Sequence, residues 1–348
     1  LELAYVPVAD VPNGPARFTW NPGLEIESIR DSSGGEVAFT HEDGLLEIGA
    51  PPAVGADGEV RLRMVATGSP DSDFAYLDAE IHPFEVGAWD AQIFLLGFES
   101  SVFESRFVGL MPGISWLPTS GAMPVGEAAR DRVTDFFRLD LTVQVPDDWT
   151  AVVAGTRSEG EGGGQRFAPG VPVPPVALFA SEFERRAVEI DGVVVEALLH
   201  RKHAGAYEVF GESSDEIATW LGERLEDASD VGLDYPLGTL SMIEVPQALR
   251  GFGGGWRMPT TMAPPGAVLI KESGFPTADF ASKFEDRDAF EEREGGIARA
   301  KVEQLETFFE NDFIGANPFV GGARSFFAHQ TDGSGPEGLP LDYVFQGM

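Results

Sequence analysis

The sequence predicts a mainly β fold with an α+β part: an N-terminal β-sandwich over residues 1–190, then an α+β domain over residues 191–348. Three observations carry this. The chain has 348 residues, more than one ordinary core serves. As far as Ile190, short apolar runs alternate with polar residues, and Gly and Pro interrupt them roughly every 8 to 12 residues, the pattern of a sandwich. Near Glu208 the apolar period changes from 2 to 3.6, so helices enter from there.

Composition narrows the function classes. Hydrophobic residues make up 43% and charged residues 23%, the balance of a globular chain. Cysteine is absent, so neither disulfides nor thiol chemistry operate. Lys+Arg number 24 against 57 Asp+Glu, a net charge of −33. Nucleic acid is excluded as a partner, because its binding relies on cations at phosphates, and an anionic membrane surface would repel the chain. No stretch reaches the roughly 18 apolar residues of a membrane-spanning helix. The chain opens within a strand pattern at Leu1–Val6 and ends at Met348 without a stop signal, as a segment of a longer protein would.

In chain order, Leu24–Ile29 alternates, Asp31-Ser-Ser-Gly-Gly35 turns the chain, and Leu45–Ile48 is a strand. Glu59–Val65 is another, with Val60, Leu62 and Met64 facing one way. The aromatics of Ser100–Gly109 favour a strand. In Thr134–Pro146 the residues Phe137, Leu139, Leu141, Val143 and Val145 alternate with Arg138, Asp140, Thr142 and Gln144, which predicts a long strand buried on one side. Ser158–Gly164 is a hairpin tip and Gly170–Pro175 is extended. Val193–Leu199 is a strand. Ile217, Trp220, Leu221 and Leu225 form a helical stripe over Ser213–Ser229, with Ser213 or Ser214 as N-cap. Thr239–Val245 and Ala267–Ile270 are buried strands flanking a loop that contains Gly253-Gly-Gly-Trp256. Phe284–Glu294 is a solvated, ion-paired stretch, and Ile297–Asn311 is a helix.

Several passages recur in the order known from one family. Pro112-Gly-Ile-Ser-Trp-Leu-Pro118 contains a Gly-x-x-Trp-x-Pro turn, followed by the strand to Pro146 and by Trp149–Gly155. Phe179-Ala-Ser-Glu-Phe183 is where the chain would leave the sandwich. Tyr235-Pro236 then precedes the strand ending in Val245-Pro246, the Gly-rich loop and the next strand. Over roughly Trp116–Phe309 the chain resembles the aminopeptidase N-like zinc metallopeptidases, the gluzincins. The resemblance implies a partial thermolysin-like second domain and a peptide cleft walled by Gly253, Gly254, Gly255 and Trp256. It also implies extracytoplasmic work.

The zinc signature of that family, His-Glu-x-x-His on one helical face with the Glu activating water, is absent from this sequence. The histidines are His41, His82, His200, His203 and His329, and no two lie four residues apart. His200-Arg-Lys-His203 follows a strand, sits among cations, has no carboxylate at the right place and reads as a pair of surface histidines. The best local alignment places Val302-Glu-Gln-Leu-Glu306 on the signature. Glu303 then takes the general-base position as a vestige, Val302 replaces one ligand and Glu306 the other. Downstream, Asn317–Phe326 has no acid for the third ligand. Neither a nucleophile elbow nor a phosphate-binding loop is present.

The resulting expectation is a non-catalytic, metallopeptidase-like recognition or scaffold subunit, without catalytic residues, metal or cofactor. It binds peptide or protein partners within a larger assembly, joined to a membrane through segments outside this chain. The alternatives are a zinc aminopeptidase whose ligands lie outside this segment, and a structural sandwich protein with an accidental likeness.

Overall fold

The computed structural model describes residues 1–7, 15–49, 54–55, 58–76, 97–121, 136–251, 261–291, 293–312, 317–320 and 323. The fold class is the expected one. The described residues are mostly β-sheet, and their α-helices all lie from Gly205 onward.

The first half is built from stacked sheets. Strands Glu2–Tyr5, Val60–Gly68 and Leu24–Asp31 form one sheet, and Phe39–Glu42, Leu45–Ile48, Ala16–Thr19 and Thr119–Ser120 form another. Period-2 alternation sends Ile29, Val60, Leu62 and Met64 from the first sheet against Phe18, Leu46 and Ile48 of the second, so a closed sandwich core forms between them. The Gly-x-x-Trp turn joins this sandwich to the next layer. Pro112–Ile114 winds as a 3-10 turn and Ser115 takes a left-handed φ of 51°. Asn21, fully buried, donates to the Ile114 carbonyl at 2.9 Å, and Trp116 donates its indole N–H to the Val176 carbonyl at 2.8 Å.

Strands Thr150–Val152, Leu178–Ser181, Phe107–Leu110 and Ser101–Phe103 form the next sheet. The aromatic stretch read from sequence as one strand is thus a hairpin, Ser101–Phe103 paired with Phe107–Leu110. The long strand expected before Pro146 is also shorter. Only Leu141–Val143 joins a ladder, opposite Gln165–Phe167, while Phe137 makes a single bridge to Val173. The alternation is right, but its five apolar residues are only half-buried. They cover the edge of a core instead of crossing its centre.

The second half is organised on a four-stranded sheet in the order Phe183–Ile190, Val193–His200, Thr239–Val245, Ala267–Lys271. The first pair is an antiparallel hairpin that spans the 190/191 point, and the last three strands are parallel. Both faces are covered, as parallel strands require. On one face Leu198, Ile243, Val245 and Leu269 meet Phe107, Val152 and Phe179 of the first half. On the other, Val193, Val195, Leu240, Val268 and Ile270 meet the helices. Helix Gly205–Phe210 leads through a 3-10 turn, Gly211–Ser213, into helix Ser214–Asp230. The expected serine cap is not made. The preceding turn already supplies upstream carbonyls, so Ser214 donates its hydroxyl to the Gly211 carbonyl and Ser213 is buried. Gly232, at φ 80°, ends the helix. Helix Gly296–Asp312 packs beside it.

Candidate functional site

The helix carrying the signature-like residues turns them in different directions. Val302 is 2% exposed and belongs to the core under Trp220 and Phe319. Glu303 and Glu306 point outward and share one cation. Arg299 approaches Glu303 Oε1 at 3.5 Å through Nε and donates from Nη2 to both oxygens of Glu306 at 3.2 Å. Arg293 lies 4.0 Å from Glu303 on its other side. The i, i+4 and i, i+7 spacing of Arg299, Glu303 and Glu306 forces this, because those positions lie on one helical face. The helix therefore presents two exposed carboxylates paired with guanidinium groups, while Val302 turns into the core.

The loop glycines Gly253, Gly254 and Gly255, and Trp256, lie outside the described residues. Their flanks are described. The loop leaves the carboxyl end of Thr239–Val245 and returns at Ala267–Lys271, two adjacent parallel strands. Carboxyl ends of parallel strands are where open α/β sheets place their ligands. Gly251, just before the loop, fits because it lacks a side chain: a Cβ there would stand 2.3 Å from Leu269 Cδ1.

At the same end of the sheet lies a cluster that the sequence concealed. Glu244 is 5% exposed. Its Oε2 accepts the His200 backbone N–H at 2.8 Å, and its Oε1 accepts the His203 Nδ1–H at 2.5 Å. His203 is therefore half-buried and held by a carboxylate, which corrects its reading as a surface histidine among cations; the partner comes from a strand 41 residues away. The signal was present in outline, as an acid inside the apolar run Thr239–Val245. Among the described residues no three His, Asp or Glu side chains gather as a metal set. Tyr207 closes the cluster. Its hydroxyl accepts the Leu199 N–H at 2.9 Å and donates to the Glu184 carbonyl at 3.1 Å, and burial pushes its pKa up. Lys271 ends the next strand and donates to the Leu249 carbonyl. Burial lowers its pKa to about 8, and Glu272 opposes that shift.

A second buried carboxylate lies on the opposite face. Glu196 accepts from Arg185 Nε at 2.5 Å, from Ser241 Oγ at 2.7 Å and from Arg157 Nη2 at 3.4 Å. Arg157 comes from the first-half strand Arg157–Glu159, so this group ties the two halves together. Burial lowers the Arg157 pKa, and Glu196 raises it in compensation.

A concavity of about 500 Å³ lies between the helix-facing side of the sheet and the helices. Val195, Ala197 and Leu199 form its floor, Trp220 and Ile217 one wall, and Phe308 another.

No known family model matches the chain, and no curated protein matches it. Among solved structures it is similar to an M1 zinc metallopeptidase from Deinococcus radiodurans, at 14% identity over 77% of this chain and 54% of that one, with a TM-score of 0.45. It is similar to a two-domain M1 zinc metallopeptidase bound to L-arginine at 15% identity, over 88% of this chain and 59% of that one, with a TM-score of 0.45. It is also similar to Legionella pneumophila aminopeptidase A in complex with aspartic acid at 12% identity, over 77% and 28%, with a TM-score of 0.47. The chain spans a little over half the length of the first two.

Proposed function

We propose that this chain is a non-catalytic recognition unit that binds a peptide or protein partner, acting as part of a larger extracytoplasmic assembly. One observation carries the reading: Arg299 holds both Glu303 and Glu306 while Val302 fills the core. A zinc peptidase needs three ligands and an open position for water, and its glutamate base needs that water polarised by the metal. On this helix the carboxylates are engaged with a guanidinium, and the residue between turns cannot donate a lone pair.

The test is metal content and hydrolysis on the purified protein. Mass spectrometry should find no stoichiometric zinc, and aminoacyl anilides should be left uncleaved with zinc added. One equivalent of zinc, with cleavage abolished by a chelator and by Glu303→Gln, would replace this reading with that of an active aminopeptidase.

A further inference from the structure

We infer that residues 275–291 form a lid at one end of the concavity, and that it opens as a unit while the sheet beneath stays folded. This goes beyond the recognition role and stands whether or not that role holds.

A segment opens by itself when few bonds tie it to its surroundings. Residues 275–291 wind as the short turns Phe275–Thr277, Phe280–Lys283 and Arg287–Phe290. Each described backbone hydrogen bond of this segment ends inside it or on Gly274 or Arg293. Its middle turn is also capped from within, since Asp279 accepts the Ser282 N–H at 3.0 Å. No backbone bond therefore needs to break outside the segment when it lifts.

Its underside is aromatic. Phe280 and Phe284 are buried with Phe210 and Ala300. Phe275 lines the concavity, its ring centroid 5.6 Å from that of Phe210 and 5.0 Å from that of Phe308. Lifting the segment thus takes out part of the concavity's wall. The outer side is latched by charge and polarity, and residues 285–289 there are exposed. Arg287 Nη2 donates to both oxygens of Glu212 at 2.7 Å, and Lys283 donates to Gln304. Glu212 also serves the buried Lys301, 3.9 Å away. Hinges are residues that absorb large changes in φ and ψ. Gly274 precedes the segment, and Gly295 and Gly296, at φ 77° and 58°, follow it.

The chain has no cysteine, so one introduced thiol reports on opening. Ala300→Cys places it under the lid, and Ala228→Cys places it in the core between sheet and helices. Labelling of the whole protein by a pyridyl disulfide is followed in native buffer and in low urea. The thiol of Ala300→Cys should react about a hundredfold faster or more, with weaker urea dependence, because local opening exposes less surface than unfolding. Adding Arg287→Ala should speed it about two- to fivefold, the weight of one exposed ion pair. Glu212→Gln should speed it about tenfold or more, because it also leaves Lys301 without a carboxylate. Equal rates and equal urea dependence of the two thiols, or a rate at Ala300→Cys that neither latch variant changes, would overturn the lid. If Ala300→Cys does not fold, hydrogen exchange of the unsubstituted protein decides. The bonded amides of Phe284, Ala289 and Glu291 should share one protection factor, well below that of Thr239–Val245; exchange only on global unfolding would sink the idea. Zinc content and hydrolysis test the recognition role separately.

Discussion

Two sets of glutamates in the second half of this protein behave differently, although their chemistry is the same. Glu303 and Glu306 lie on the outer face of a helix, at 48% and 27% side-chain exposure, and meet Arg299 in water. Glu196 and Glu244 lie within the sheet at 4% and 5%, one facing the first half and one facing the helices. Outside, water solvates each charge whether or not the pair forms, so an ion pair adds about 0–1 kcal/mol. Inside, each charge relies on protein donors, and removing one partner leaves the other without solvent or counterion. The residues that local alignment singles out are thus the ones the structure can lose. The buried ones lie in strands that sequence reading treats as plain core.

The largest effect expected is at Glu196. Glu196→Ala leaves Arg157, at 21% side-chain exposure, without its carboxylate. Breaking a buried pair in this way costs about 3–5 kcal/mol, and urea denaturation should show a loss near the lower end, since Arg185 is more exposed. A loss below about 1 kcal/mol would place Glu196 with the surface pairs and remove the contrast.

A half-buried cation gives a smaller, pH-dependent effect. With Lys271 at about pKa 8 in the folded protein and about 10.4 unfolded, both states hold the proton below pH 8. Between those values the unfolded state holds more of it, so the stability of the native sequence rises with pH across this window. Lys271→Met removes the titration. Its stability relative to the native sequence should be most favourable near pH 7 and decline towards pH 10 in matched denaturation curves. A difference that stays constant with pH would show that Lys271 titrates as it does in water.

The smallest effect is at Glu303. Glu303→Gln keeps the helix, leaves Glu306 on Arg299, and should change stability by less than about 0.5 kcal/mol, with peptide binding unchanged. A larger loss would give this carboxylate a structural role that its exposure does not support.

Strand and helix positions were legible because their signal is local. Leu45–Ile48 and Thr239–Val245 fall where alternation or an apolar β-branched run puts them, and the helix of Ile217, Trp220 and Leu221 follows from its stripe. The misplaced elements were those whose outcome depends on a distant neighbour. Phe137–Val145 keeps its alternation but finds a ladder partner only at Leu141–Val143, and Ser100–Gly109 folds back on itself.

The sequence by itself determined the class of the chain, the order and period of its elements, its net charge of −33 and the lack of a His-Glu-x-x-His motif, because each depends on residue identity along the chain. The tertiary structure alone decided which charges are buried and what meets them. Glu196 meets Arg157 across 39 residues and Glu244 meets His203 across 41. The cavity likewise exists only where a sheet face and separate helices enclose it. Burial and ion pairing are properties of three-dimensional proximity, and backbone periodicity carries no record of which distant segment will arrive.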